Sequence, residues 1–244
     1  MEITSTKNSM VLYACSLKEK KYRDKENKFL IEGEHLIEMA NNIETIFTTN
    51  KNYKNDQVNV YYVNEAILEK ISFNKSPQGI VAIVKKEAKA IDFTKKRYLL
   101  CDKVADPGNL GTIIRTCLAF NVDEIILQEG SVDIYNDKVI RASQGAIFKV
   151  NINYANLVDI IYKLKTNKVK VLASTLSKNS IDLNEMNYVE KFALVVGNEG
   201  QGVSKEVIDA SDISIKIRHS SNIDSLNVGV ATSIMLYYLD ALKK

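Results

Sequence analysis

The sequence predicts an α/β protein in two parts: a small N-terminal α/β domain and a C-terminal domain around a mostly parallel sheet. Three observations predict it. From Tyr98 onward, apolar runs rich in β-branched residues alternate with helix-patterned runs, as in βαβ units. Before Lys85 the elements are shorter and less regular. Between them lies KKEAKAIDFTKKR, Lys85 to Arg97, a charged stretch separating two apolar runs, as a linker does. The domains are placed at residues 1–86 and 98–244, with the linker at 87–97.

Each element has its own signal. Met10 to Lys20 reads as a helix. FLIEG, Phe29 to Gly33, reads as a strand ending in glycine, and HLIEMA, His35 to Ala40, as a short helix. IETIFTT (Ile43 to Thr49) and VNVYYV (Val58 to Val63) are rich in β-branched and aromatic residues, which suit strands. EAILEKI is helical, and SPQGIVAIV, Ser76 to Val84, is a turn followed by an apolar strand. In the second domain the strands are YLLCDKV, EIILQ, KVKVLAS, KFALVVG and ISIKI. The helices are Leu110 to Phe120, Leu157 to Lys165 and Val228 to Leu242. Ligands of such sheets bind at the carboxyl ends of the strands, where the glycine-rich segments fall.

Composition excludes several classes. Apolar residues make up 45% and charged residues 26% of the 244, near the globular average, so the chain is not disordered, collagen-like or a coiled-coil rod. Three scattered cysteines, Cys15, Cys101 and Cys117, form no CxxC pair, which argues against a disulfide scaffold and a zinc ribbon and fits a reducing cytoplasm. Met1 to Met10 has no apolar core of signal-peptide length, and no apolar run approaches the roughly 18 residues of a membrane span. The net charge is only +3. Locally, Lys7, Lys18, Lys20, Lys21, Arg23, Lys25 and Lys28 outnumber Glu2, Glu19, Asp24 and Glu26, a cluster suited to phosphate or to a solvated helix face.

Three loops carry candidate chemistry. In DKVADPGNLGTIIRT, Asp102 to Thr116, a strand runs through a Pro-Gly turn into a helix, with Asn109 where an N-cap is expected. Arg115 follows among Ile113, Ile114, Cys117 and Leu118, a setting that calls for an anionic partner or a site. In ALVVGNEGQGVS, Ala193 to Ser204, an apolar strand ends in three glycines around Asn198 and Glu199. The spacing matches neither the dinucleotide fingerprint nor a Walker A loop. In IDSLNVGVATSIMLYYL, Ile223 to Leu239, Ser225 and Asn227 precede a long apolar helix, with Ser225 as the expected cap. HExxH, GxSxG and Cys/His clusters are absent. A Ser-His-Asp set using His219 and Asp224 would lack a nucleophile elbow.

Taken together and in this order, the three loops resemble the motifs of the TrmH/SpoU-type RNA ribose 2′-O-methyltransferases of the SPOUT class. RASQGAIF, Arg141 to Phe148, is similar to another recurring segment of that family. ENKFLIEGEHLI, from Glu26, and SPQGIVAIV resemble the RNA substrate-binding domain at the N-terminus of many members. The resemblance implies a C-terminal domain threaded into a trefoil knot, a site for S-adenosylmethionine (SAM), no metal, and a homodimer. It assigns Asn109, Arg115, Glu199, Ser225 and Asn227 to the active site, and Gly197, Ile217 and Leu226 to the cofactor pocket. The sequence departs from the family before the third motif. Ile217-Arg218-His219-Ser220-Ser221 stands where many members have Ile-Pro-Met and a glycine.

The implied reaction moves the methyl group of SAM to a ribose 2′-hydroxyl of RNA, and the N-terminal domain favours 23S rRNA over tRNA. A guanidinium is not deprotonated in proteins. Arg115 is therefore read as holding phosphate and stabilising the developing alkoxide, with the proton leaving to water or a neighbour. The alternatives are a tRNA ribose methyltransferase and a non-catalytic RNA-binding protein of the same fold.

Overall fold

The structure, a computed structural model, describes residues 1–242; Lys243 and Lys244 of the second domain lie outside the described residues. The chain forms two compact units. The first holds residues 1–87 and takes in Tyr135–Ile140; the second holds Ala88–Ile134 and the chain from Arg141 onward.

The first unit runs β1 (Glu2–Ile3), α1 (Ser9–Ser16), α2 (Lys20–Glu26), β2 (Lys28–Glu32), α3 (Glu34–Met39), β3 (Ile43–Thr48), β4 (Asn59–Val63), α4 (Glu65–Ile71) and β5 (Ile80–Lys85). Its mixed sheet has the order β1-β4-β3-β5-β2. β5 is antiparallel to both β2 and β3, while β3, β4 and β1 are parallel. Val11 and Ala14 of α1 and Leu17 just after it pack with Ile67, Leu68 and Ile71 of α4 on Leu30, Phe47, Val81 and Ile83. The single helix expected over Met10 to Lys20 ends at Ser16, where the buried Arg23 guanidinium donates to the carbonyls of Leu17 (3.2 Å) and Lys18 (2.7 Å).

The lysine cluster is less free than its sequence suggests. Lys18 Nζ donates to the carbonyls of Lys70 and Ser72 at the end of α4. Lys20 pairs with Asp24, Lys21 with Glu19 and Lys28 with Glu44. The exposed pairs are weak and open to competition by phosphate, whereas Lys18 and Arg23 hold helix ends together.

The second unit is built on β6 (Arg97–Asp102), α5 (Pro107–Ala119), β7 (Glu124–Leu127), the end of α6 (Asp137–Ser143, whose residues to Ile140 belong to the first unit), β8 (Asn151–Tyr154), α7 (Leu157–Thr166), β9 (Lys170–Ser174), β10 (Ile181–Asp182), β11 (Phe192–Gly197), α8 (Lys205–Ala210), β12 (Ile213–Lys216) and α9 (Val228–Ala241). Its sheet has the order β10-β12-β9-β11-β6-β7-β8, and every pairing is parallel. Both faces of a parallel sheet are covered, so its central strands are mostly apolar; β6, β7 and β11 are buried along their whole length. Tyr98, Leu100, Val171, Ala193 and Val195 form one core with Leu157, Ile161 and Leu164 of α7. β8 (NINY) and the two-residue β1 and β10 are too polar or too short to show a strand pattern in the sequence. Among the described residues no helix is long and apolar enough to cross a membrane.

Candidate active site

β6 and β11 are neighbours, and their register places Asp102 beside Gly197. The first and second loops therefore leave the sheet side by side. The first starts α5 at Pro107. Proline suits the first helical position because its missing N–H needs no partner there. The cap is thus Asp106, whose Oδ1 accepts the Asn109 N–H at 2.8 Å, and not Asn109 as the sequence suggested. This frees the Asn109 amide. Its Nδ2 donates to Glu199 Oε1 (2.9 Å) and its Oδ1 accepts from Asn227 Nδ2 (2.8 Å).

The second loop folds back on its own strand. Asn198 and Gly202 exchange backbone hydrogen bonds at 3.0 and 2.9 Å. The fold-back requires glycine at 197, because a Cβ there would collide with the backbone of Gly202 and Val203. Asn198 Nδ2 donates to the Lys103 carbonyl (2.9 Å), and Asp102 Oδ2 accepts the Ser204 N–H (2.7 Å), so the first two loops are tied at two further points. Glu199 accepts the backbone N–H groups of Ala105 (3.2 Å) and Asp106 (3.1 Å) besides Asn109. Partial burial works to raise the Glu199 carboxyl, but the hydrogen bonds from Asn109 and the backbone outweigh it and hold it below the usual carboxylate range.

The third loop ends on α9, capped by Asn227, whose Oδ1 accepts from Gly229 N (2.9 Å) and Val230 N (3.2 Å). Ser225, the expected cap, instead lines a cavity. That cavity, about 630 Å³, is walled by Gly197, Glu199, Ile217, Ser225, Leu226 and Asn227, together with the glycine loop and His219. Gly202, at φ +70°, has open space where a Cβ would stand, so backbone there can meet a ligand closely.

Six of the eight residues singled out in the sequence thus wall one cavity, and Asn109 joins them through its amide. Arg115 does not line it. It lies on the exposed face of α5 with Thr112 and Leu118, so it needs no buried anion. Sequence reasoning missed Asp102, Asp106 and Asn198. Asp106 was findable, since Asp before Pro is a helix-start signal; Asp102 reaches Ser204 far along the chain, and Asn198 turns its own loop by accepting the N–H groups of Gly200 and Gln201 while its tie to Lys103 is long-range and carries no local pattern. Burial pushes the thiols of Cys101 and Cys117 well up, so neither is a nucleophile.

Comparison with known proteins agrees with this geometry. Residues 96–237 match the SpoU rRNA methylase family, and residues 8–82 match the MRM3-like substrate binding domain. The chain is 35% identical over 246 residues to the 23S rRNA (guanosine(2553)-2′-O)-methyltransferase RlmP of Bacillus subtilis, covering 98% of each. The AdoMet-bound rRNA methyltransferase from Sinorhizobium meliloti superposes with a TM-score of 0.90 at 29% identity, over 100% of this chain and 98% of that one. The A. aeolicus TrmH/SpoU tRNA modifying enzyme gives a TM-score of 0.53 at 28% identity, over 62% of this chain and 79% of that one. The chain belongs to the SpoU rRNA methylase family.

Proposed function

We propose that the protein transfers a methyl group from SAM to a ribose 2′-hydroxyl of 23S rRNA. The observation that carries this reading is Asn109, which bridges Glu199 and Asn227, both in the wall of one cavity, and so joins all three loops. The cavity suits SAM: its volume is that of a small-ligand site, and its walls combine apolar Ile217 and Leu226 with glycine backbone. Bound there, SAM supplies an electrophilic methyl group. Gly197, Ile217 and Leu226 hold the cofactor. Asn109, Glu199, Ser225 and Asn227 fix the loops and orient the ribose. Arg115, exposed on α5, takes an RNA phosphate in this reading and stabilises the alkoxide as the 2′-hydroxyl loses its proton to water or a neighbour. SAM chemistry of this kind needs no metal.

Full-length similarity to a 23S rRNA enzyme, against partial similarity to a tRNA enzyme, supports rRNA as substrate. Residues 1–86 act as the RNA-holding domain, 87–97 as the linker and 98–244 as the knotted SAM domain. The enzyme works in the cytoplasm as a homodimer, formed through the exposed apolar face of α5 and α9.

The test is transfer of radiolabelled methyl from SAM to purified 23S rRNA and to bulk tRNA. Label in rRNA, recovered in alkali-resistant dinucleotides, is expected. Label only in tRNA, or in a base, contradicts the reading.

A further inference from the structure

The first unit holds a buried carboxylate that the chemistry of the cavity does not use. Glu32 ends β2 and is buried. In the β2–β5 register it stands beside Val81, so it meets the loop between α4 and β5, residues 72–79 (SFNKSPQG). Three donors of that loop engage it. Ser72 Oγ donates to Oε2 at 2.7 Å, Asn74 Nδ2 to Oε2 at 3.0 Å, and the Gln78 N–H to Oε1 at 2.9 Å. Further bonds fix the same loop. Ser72 Oγ accepts the Asn74 N–H (2.8 Å), and the Ser72 carbonyl accepts from Lys18 Nζ. At the other end the Gly79 carbonyl accepts from Thr48 Oγ1 (3.0 Å) and the Thr49 N–H (3.1 Å). The Gln78 side chain lies against Gly33, where any Cβ would collide with its amide.

Burying a carboxylate is costly unless donors replace its water. A chain that only passes from a helix to a neighbouring strand needs no such device, since about two to six residues of ordinary turn suffice. A loop held to one shape on a rigid sheet is where proteins place binding groups. Between the fixed points Asn74 and Gln78 stand Lys75, Ser76 and Pro77, of which Lys75 and Ser76 are exposed. Lys20, Lys21 and Lys28 have carboxylate partners, whereas among the described residues Lys75 has none.

We propose that this loop is an RNA contact of the N-terminal domain, with Lys75 meeting a backbone phosphate and Glu32 as the positioning residue that holds the loop in its binding shape. The inference deepens the reading of residues 1–86 as the RNA-holding domain and rests on it. A preformed loop loses little conformational freedom on binding, so Glu32 contributes to RNA affinity without touching RNA. A lysine meets phosphate as a point charge, so the contact fixes register and carries no base preference.

The test uses the full chain and purified 23S rRNA, with affinity measured at several salt concentrations and methyl transfer resolved into KM and kcat. Lys75→Ala should weaken rRNA binding about five-fold at about 0.15 M salt and lower the salt slope by about 0.9, the share of one phosphate contact. Glu32→Gln should raise the KM for rRNA at least as much, with the loss falling on KM and not on kcat. In the Glu32→Gln background Lys75→Ala should cost much less than in the wild type, because a lysine on a released loop has already lost its place. Ser72→Ala, which removes one buried donor, serves for the same cycle should Glu32→Gln fold poorly. Unchanged affinity and salt slope in Lys75→Ala, or an equal cost of Lys75→Ala in both backgrounds, would overturn the inference while wild-type binding stands. If the wild type itself binds no rRNA, the RNA reading of the domain fails and the inference with it.

Discussion

Asn109 and Arg115 lie on one helix but face different tasks. Asn109 bonds two loops, while Arg115 is exposed and touches neither. Arg115→Ala should therefore leave SAM affinity intact and slow methyl transfer by about 10²–10³, the usual cost of removing one electrostatic stabiliser. Single-turnover rates alongside SAM titration check this, and a near-full rate would contradict the role. The site residues were legible through the resemblance of the three loops, in order, to the family's motifs; the spacing within any one loop would not have singled them out. Their contacts were not. Pro107 moved the cap to Asp106, Asn227 took the cap expected of Ser225, and Ile113, Ile114 and Cys117 face inward while Arg115 and Leu118 face out.

At the scale of elements, α9 depends on its cap. Asn227→Ala removes the side-chain acceptor of the Gly229 and Val230 N–H groups and the link to Asn109, and should cost about 0.5–2 kcal/mol in chemical denaturation. An unchanged midpoint would contradict the capping. On the sheet, Glu124 of β7 is buried. Burial pushes its carboxyl up and the charges of Asp92 and Asp123 add to this, against hydrogen bonds from Asn151 and the Asp92 N–H. A raised folded value means the folded state binds the proton more tightly, so this group's contribution is present at low pH and lost as pH rises from about 4.3 through the raised value. Glu124→Gln lacks that dependence. Acidification from about pH 7 to pH 5 should thus raise the wild-type midpoint relative to Glu124→Gln, and parallel profiles would contradict it. The long apolar strands were legible because burial on both faces writes a continuous pattern. β8 was not, since a four-residue polar edge strand is set by its neighbour β7 and not by its own composition.

For the whole molecule, α9 turns Thr232, Met235, Leu236 and Leu239 inward yet leaves Val230 49%, Ile234 38% and Tyr237 64% exposed. Leu118 of α5 is 39% exposed, and α5 and α9 are joined by a Thr116–Ser233 hydroxyl bond. Exposed apolar side chains on two packed helices suit a second copy. Light scattering should give twice the 27.5 kDa chain mass at micromolar concentration, and Ile234→Glu should lower it towards one. A monomeric wild type would contradict the homodimer.

The central claim is the chemistry of the cavity the three loops enclose. Its most direct test is a map of 2′-O-methyl sites across ribosomal and transfer RNA from cells with the gene, without it, and with Arg115→Ala in its place. One 23S rRNA ribose methyl group should disappear without the gene and not be restored by Arg115→Ala. An unchanged rRNA map, or a lost methyl confined to tRNA, would contradict it.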